Sequence, residues 1–233
     1  MKRIVLILLF VFILVVARVM IPNEESCLSL AFDDGYESHY FVVNSLLDER
    51  NFSATFFVFP ETVNEWNGRS LMNASQIWDL SRDYEIGSHT MTHPYLNELS
   101  DSEIEFELAS SKKLLSEIIG KEIEVVAFPY GRYDERVLNI SRKYYLLARS
   151  LFSESDDFLI SGFALENDTP VEDVCEMIDD AILEKDNLVL VFHDVTEMPS
   201  QWDTSVEDFE KILDCVESSK IKIKTFGECS LGN

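Results

Sequence analysis

The chain is poor in basic side chains. Its 233 residues include 19 Lys and Arg against 43 Asp and Glu, which gives a formal net charge of −24 and a pI near 4.3. No basic cluster is present that would neutralise phosphates, and this argues against nucleic acid as a partner. An acidic surface also disfavours anionic polymers and favours neutral or cationic substrates, or a salty environment.

Several signatures of other protein classes are missing as well. No G-x-G-x-x-G or Walker loop follows an apolar run, so a nucleotide site has little support. No Gly/Pro/Ser-rich linker, internal repeat or low-complexity tract divides the chain, and we expect one domain. The cysteines lack C-x-x-C spacing, which argues against a zinc ribbon. Outside the cell they would form one or two disulfides in one of three pairings, or stay as buried thiols; they are Cys27, Cys175, Cys215 and Cys229.

Residues 1–22 differ from the rest of the chain. A basic head is followed by an apolar run from Ile4 to Ala17, which is typical of a secretory signal. No clear small-x-small cleavage site follows, so a retained apolar helix that anchors the chain to a membrane through residues 4–21 is the alternative. Both interpretations place a domain of residues 23–233 outside the cytoplasm, either secreted or membrane-anchored.

After Pro22, short apolar runs alternate with amphipathic segments. The runs that read as strands are CLSLAF, ATFFVF, YEIGSH, EVVAF, YYLLAR, DFLISGFAL, NLVLVF and IKIKTF. Helix-like segments cover about 38–50, 75–83, 100–120, 133–143, 171–185 and 204–219. Seven or eight near-continuous apolar strands alternating with helices predict a parallel α/β fold covered on both faces. Without a nucleotide loop, we expect a closed or nearly closed barrel.

Polar side chains suited to a metal site follow several of these strands. Asp33 and Asp34 end the first strand, His89 and His93 follow the third, and His193 ends the seventh. In a barrel, chemistry collects where strands end and βα loops begin. Two imidazoles and one carboxylate are a common ligand set for a divalent metal with open positions. Such a cation would offset the cost of two adjacent aspartates and leave one of them as a base.

These motifs resemble those of the polysaccharide deacetylases that share the NodB homology domain, carbohydrate esterase family 4. "AFDDG" resembles T-F-D-D-G, "HTMTHP" matches H-[ST]-x-x-H-P, "FPYGRYDERV" resembles the third motif, and "LVLVFHD" resembles L-x-H-D. The resemblance extends roughly from Ser29 to Phe226. It implies a distorted (β/α)7–8 barrel and metal-dependent removal of N-acetyl groups from amino sugars of an extracytoplasmic glycan.

The resemblance also implies roles for individual residues. Asp34, His89 and His93 would bind one divalent ion, zinc first, with cobalt, manganese or nickel as alternatives. Asp33 would be the base that takes a proton from the attacking water. His193 would be the acid that protonates the departing amine.

Further positions complete the expected site. The backbone N–H of Tyr130, beside Pro129, would help to bind the oxyanion. Trp202 is the best candidate for a substrate wall. The remaining histidine, His39, is predicted to lie on the surface of the first helix without a role.

The sequence departs from the family pattern at two points. Ala127 stands where the third motif usually carries an arginine that braces the catalytic aspartate, and Arg132 or Arg149 is expected to substitute for it. The D-x-x-D-W motif, which supports the catalytic histidine and walls the site, has no match. The stretch "SESDDFL" offers Asp156 and Asp157 without the tryptophan.

Three functions are therefore compatible with the sequence. The first is a metal-dependent carbohydrate N-deacetylase. The second keeps the hydrolysis but changes the substrate to a lipid-linked sugar or another small amide, as in a deformylase or amidase. The third is a catalytically impaired, glycan-binding relative.

Overall fold

A computed structural model describes residues 26–60, 65–66, 68–151 and 155–231. The predicted signal or anchor at residues 1–22, with its apolar helix, lies outside the described residues. Within the described ranges, none of the helices has both the length and the apolar character needed to cross a membrane.

The centre of the fold is a nine-stranded sheet in which every pairing is parallel. The strands, including those of two small side sheets, are β1 (Cys27–Phe32), β2 (Thr55–Val58), β3 (Glu65–Trp66), β4 (Arg69–Ser70), β5 (Glu85–Ser88), β6 (Val125–Ala127), β7 (Leu147–Ser150), β8 (Leu159–Ser161), β9 (Phe163–Ala164), β10 (Leu188–Phe192), β11 (Val195–Thr196), β12 (Thr204–Ser205) and β13 (Lys222–Ile223). The spatial order is β8-β7-β6-β5-β2-β1-β10-β9, and β13 also pairs with β1.

A single chain segment closes the sheet into a barrel. β8 pairs with β7 and β9 pairs with β10, although only Gly162 separates β8 from β9 in sequence. A Cβ at Gly162 would lie 2.7 Å from a methyl carbon of Val191 and 3.2 Å from Cδ of Arg149, so a side chain has no room there. The predicted run DFLISGFAL therefore forms two short strands that pair with opposite edges of the sheet on either side of the glycine. The expected nearly closed barrel is confirmed.

Helices connect most of these strands on the outside of the barrel. They are α1 (Asn44–Asp48), which continues a π-helical turn at His39–Val43, α2 (Ala74–Leu80), α3 (Asp101–Ile119), α4 (Glu135–Ser141), α5 (Val171–Glu184), α6 (Val206–Ser219) and α7 (Phe226–Leu231). A capping box of Ser100 and Glu103 starts α3, and Gly120 ends it in a left-handed conformation.

Side-chain alternation along each strand separates two apolar layers. On β1, Leu28, Leu30 and Phe32 pack outward against the helices, whereas Ala31 faces the barrel interior with Phe57 and other residues. The interior layer is small and apolar at the bottom of the barrel, and the helix-facing layer holds most of the core. The polar site is thus carried on top of a packed barrel.

Two disulfides connect distant parts of the chain. Cys27 at the start of β1 is bonded to Cys229 in α7, and Cys175 in α5 is bonded to Cys215 in α6. The alternative of buried free thiols is therefore wrong. The first bridge joins residues 202 apart in sequence, so it fastens the C-terminal helix to the first strand.

Candidate metal centre and active site

Because side chains alternate between the two faces of a strand, two of the predicted polar residues continue the interior face of the barrel at the ends of their strands. Asp33 and His193 each come two residues after an interior position, Ala31 and Val191, so both continue the interior face of their strands. β1 and β10 are paired in parallel register, and Ala31 lies opposite Val191. The two side chains consequently open into the same cavity.

Asp34, His89 and His93 form a compact cluster of possible metal ligands. One donor atom of each lies within 4.8 Å of the others, and all three residues are buried. Asp34 Oδ1 is 3.2 Å from Nε2 of His93 and 3.5 Å from Nε2 of His89. The two Nε2 atoms are 3.2 Å apart. The structure thus brings together the three side chains that the sequence assigned to one ion.

Unusual backbone conformations turn these side chains toward each other. Asp34, Thr90 and His93 have φ of 71°, 67° and 61°, values that residues other than glycine rarely adopt. Gly35 also has positive φ and would place a Cβ 2.9 Å from Val58. Such conformations cost about 1–3 kcal/mol each and persist only where the surroundings impose them.

A buried carboxylate from α3 holds the histidine loop in place. Glu107 accepts hydrogen bonds from the backbone N–H groups of Met91 and Thr92 and from the Thr92 hydroxyl, at 2.7–2.9 Å. It is only 5% exposed. The loop between His89 and His93 is therefore anchored to a helix rather than free to open.

The donor set fits a divalent cation. His89 donates Nδ1–H to the carbonyl of Ala127 at 2.8 Å, so in the neutral imidazole Nε2 is unprotonated, and this atom is directed at the cluster. Asp34 Oδ1 is buried, and among the described residues it has no hydrogen-bond partner. Two imidazole nitrogens and a carboxylate oxygen that converge without donors between them are suited to share a positive ion.

The electrostatics of the cluster agree with this fit. Burial by itself raises the pKa of Asp34, but the two imidazoles of His89 and His93 beside the carboxylate outweigh it and hold the pKa well below 3.8. Burial lowers the pKa of His93. For His89, the nearby charges of Asp33 and Asp34 outweigh burial and raise the pKa. The cluster thus attracts positive charge while keeping its carboxylate ionised.

Arg149 forms a buried ion pair with Asp33. Its Nη2 lies 2.5 Å from Asp33 Oδ2, and the side chain of Arg149 is fully buried. Ala127 on β6 lies directly opposite Arg149 on β7. The guanidinium therefore enters the barrel at the level of the arginine missing from β6, but from the neighbouring strand. Of the two expected substitutes, Arg149 reaches Asp33, whereas Arg132 lines the cavity and, among the described residues, forms no ion pair with Asp33.

His39 is not on the surface, and that expectation is wrong. The side chain is fully buried and its Nε2–H donates to the backbone carbonyl of His193 at 2.8 Å. Burial lowers the pKa of His39 and favours its neutral form. The spacing of His39, Val43 and Leu47 is that of one buried helical face, and this signal could have revealed its position.

The candidate site opens into a cavity of about 510 Å³. Aromatic side chains surround it, and several are partly exposed. Trp202 is 47% exposed and Tyr130 is 40% exposed. The predicted positions Asp33, Asp34, His89, His93, His193, Tyr130 and Trp202 all line this cavity.

Three other predicted positions lie elsewhere. Pro129 is buried in the turn Pro129–Gly131 and does not line the cavity, although it shapes the turn that presents Tyr130. Asp156 and Asp157 are exposed and are not cavity residues, so they do not replace the missing D-x-x-D-W motif.

Arg69 forms two ion pairs at the edge of the cavity that the sequence did not reveal, here called the arginine clasp. Arg69 on β4 lies 3.0 Å from Asp194 and 2.6 Å from Asp203. Asp194 also accepts a hydrogen bond from the Ser38 hydroxyl. The clasp fixes the loop that carries Trp202 against the β3–β4 hairpin.

Comparison with known proteins agrees with this geometry. Residues 21–147 match the family described as "Polysaccharide deacetylase". The chain therefore belongs to the polysaccharide deacetylase family.

Individual relatives are more distant. A putative polysaccharide deacetylase, YxkH, of Bacillus subtilis (strain 168) is 28% identical over 121 residues, 52% of this chain and 42% of the relative. A chitooligosaccharide deacetylase of Azorhizobium caulinodans is 30% identical over 125 residues, 53% of this chain and 57% of the relative. The chain thus spans about half the length of the curated relatives it matches.

The fold is shared with solved structures at low identity. A family 4 acetyl xylan esterase from Clostridium thermocellum, in complex with a cobalt ion, superposes with a TM-score of 0.64 at 20% identity. The superposition covers 88% of this chain and 90% of the esterase. At this identity, the likeness establishes the barrel fold.

Proposed function

We propose that this protein is a metal-dependent hydrolase that removes N-acetyl groups from amino sugars of an extracytoplasmic glycan. The observation that carries the proposal is the buried cluster of Asp34, His89 and His93 beside Asp33, with His193 on the same cavity. Family membership and the names of the relatives support the reaction and the class of substrate.

Asp34, His89 and His93 would hold the metal. A bound divalent ion would make water a stronger nucleophile near neutral pH and polarise the amide carbonyl. Cobalt in a solved structure of the same fold supports a divalent ion, and zinc is the first choice for a His₂Asp ligand set.

Asp33 is suited to act as the base. Its Oδ2 is 3.8 Å from Nε2 of His89, so the carboxylate lies beside the ligand cluster without being part of it. Its other oxygen, Oδ1, is buried, and no hydrogen bond occupies it among the described residues. Arg149 binds Oδ2 and leaves Oδ1 free to accept a proton from the attacking water.

His193 is suited to act as the acid. Amine nitrogen is a poor leaving group unless it is protonated, and an imidazole performs that transfer near neutral pH. His39 holds the backbone of His193 through its carbonyl, and this fixes where the imidazole enters the cavity. Trp202 lies close by, with ring centroids 6.3 Å apart, and would cover one side of the sugar.

Tyr130 would support the developing oxyanion through its backbone N–H. The residue has φ of 59° and lies in the turn that follows β6. Its ring contacts the imidazole of His93 at a centroid distance of 4.7 Å. The turn is therefore positioned against the metal-ligand cluster, where the amide oxygen would lie.

Two disulfides support an extracytoplasmic location, because such bonds persist in oxidising compartments. We infer that the domain is secreted or anchored outside the cytoplasm. Digestion of the protein by added protease, compared between intact and lysed cells, tests this inference. Protection of the protein both in intact cells and in cells whose outer envelope has been permeabilised would contradict it.

Acetate release from chitooligosaccharides by purified protein tests the function. We expect release with a divalent ion, none after chelation, and none from Asp33→Asn in either condition. Equal release by the wild type and Asp33→Asn would remove the catalytic assignment. Release of formate from N-formyl sugars without acetate release would favour the deformylase alternative.

A further inference from the structure

Arg132 is connected to the metal-ligand cluster by a stack of rings. Its guanidinium carbon lies 5.5 Å from the centre of the Tyr95 ring. Tyr95 stacks on Tyr130 with centroids 4.0 Å apart and an interplanar angle of 17°. Tyr130 in turn contacts His93 at 4.7 Å. Arg132 also lines the cavity, and the stack fixes the distance of its guanidinium from the metal-ligand cluster.

The other charged side chains that line the cavity already have partners. Asp33 is paired with Arg149, and Asp203 with Arg69 at 2.6 Å. Asp34 is directed at the two ligand imidazoles. None of these carboxylates forms an ion pair with Arg132.

Arg132 differs from these groups. Within the described ranges of the chain, no carboxylate lies within ion-pair distance of its guanidinium, although the protein carries a net charge of −24. Asp134, two residues further on, is paired with Arg136 at 2.9 Å. A guanidinium that keeps its donors free and lies over a tyrosine ring is well suited to bidentate contact with a carboxylate or phosphate.

We propose that Arg132 binds an anionic substituent of the glycan, a carboxylate or phosphate carried by the reacting amino sugar or by its neighbour. This inference rests on the proposed deacetylase function and specifies its substrate. It differs from the expectation of neutral or cationic substrates that net charge alone suggests. Exposed charges more than about 10 Å away are largely screened at physiological salt, so the groups that line the cavity dominate there.

A pair of matched substrates tests the proposal. One is a neutral N-acetylglucosamine oligomer, and the other is the same oligomer with a carboxylate on alternate sugars; a third, with phosphate, distinguishes the source of the charge. The readout is the ratio of kcat/KM for each anionic oligomer to kcat/KM for the neutral one. We expect a ratio of about ten or more in the wild type for one of the anions, as one charge-assisted contact provides.

Two variants and one control make the test specific. Arg132→Gln should bring the ratio close to one, mainly through KM, and Arg132→Lys should keep part of it because the charge remains but the planar fork is lost. Arg142→Gln is the matched control. Arg142 also lies over an aromatic ring, 4.3 Å from the centre of Phe158, but it is outside the cavity. The control should keep the wild-type ratio.

The outcomes separate this inference from the proposed function. A wild-type ratio near one, a ratio that survives Arg132→Gln, or an equal fall in Arg142→Gln would overturn the role of Arg132. If no oligomer releases acetate with any divalent ion, the proposed function fails instead. Calorimetric binding of the intact oligomers then decides the role of Arg132. Tighter binding of an anionic oligomer that Arg132→Gln abolishes supports it, and equal binding overturns it.

Discussion

The metal side of the candidate site and its acid side come from different halves of the chain. Asp33, Asp34, His89 and His93 lie within residues 21–147, the part that matches the family. The acid side lies beyond that part: it comprises His193, Arg149, Trp202 and the two partners of Arg69, Asp194 and Asp203. The first side is built from short loops, whereas the second is assembled by contacts between distant segments such as Arg69 with Asp194.

This difference indicates which function each half carries. The metal side is set by local backbone conformation, so substitutions there should remove the ion. The acid side is held by contacts between segments that are distant in sequence, and these contacts do not involve the metal ligands. Substitutions there should therefore leave the ion bound and change turnover.

Loss of a metal ligand should have the largest effect. Asp34→Ala should abolish metal binding and lower kcat/KM by about 10³-fold or more, because the reaction loses both the activated nucleophile and carbonyl polarisation. Elemental analysis of the purified variant and acetate release together measure this. A variant that keeps one equivalent of metal would show that Asp34 is not a ligand.

Substitution of the acid should separate turnover from metal content. His193→Ala should lower kcat by about 10²- to 10⁴-fold, the usual contribution of a positioned acid or base. The metal content should remain that of the wild type. If the variant lost its metal as well, the two sides of the site would not be independent.

Removal of Arg149 should affect stability and turnover together. Breaking a buried ion pair by deleting one partner costs about 3–5 kcal/mol, so Arg149→Ala should be destabilised by that order in urea unfolding. Because Ala127 lies opposite Arg149, the double variant Ala127→Arg/Arg149→Ala should recover turnover by supplying a guanidinium from β6. Ala127→Arg alone is the control and should be destabilised. A double variant no better than Arg149→Ala would contradict this placement.

A smaller effect is expected at His39. His39→Phe keeps the ring packing but removes the hydrogen bond to the His193 carbonyl, and an unsatisfied buried acceptor costs about 1–3 kcal/mol. We expect a fall in kcat at unchanged metal content, measured by acetate release. Unchanged kcat in a folded variant would limit His39 to a packing role.

The smallest effect concerns the arginine clasp and depends on pH. Burial raises the pKa of Asp203, but the hydrogen bond from Arg69 and those from Ser200 outweigh it and lower that pKa below 3.8. A depressed folded pKa gives stability that is fully present above the unfolded value of 3.8 and is lost as pH falls through the folded pKa. The difference in Tm between wild type and Asp203→Asn should therefore shrink on acidification below 3.8. A difference that grows at acid pH would reverse the sign of this contribution.

The clustering of Asp34, His89 and His93 could be predicted from the sequence because each residue follows an apolar strand, and the ends of parallel strands meet at one face of a barrel. Their role as metal ligands stays a prediction. The position of Arg149 depends on its register opposite Ala127, and cross-strand register could not be read from one sequence. The same holds for the pairing of four cysteines and for the clasp of Arg69. His39 was misplaced although its helical spacing with buried residues was visible.

Metal titration of chelated protein with acetate release as the readout tests the central claim most directly. We predict that activity rises linearly to one equivalent of added divalent ion and then stays constant. His89→Ala and His93→Ala should neither bind the ion at that stoichiometry nor gain activity. Acetate release by the metal-free wild type, or full metal binding by either variant, would contradict the account.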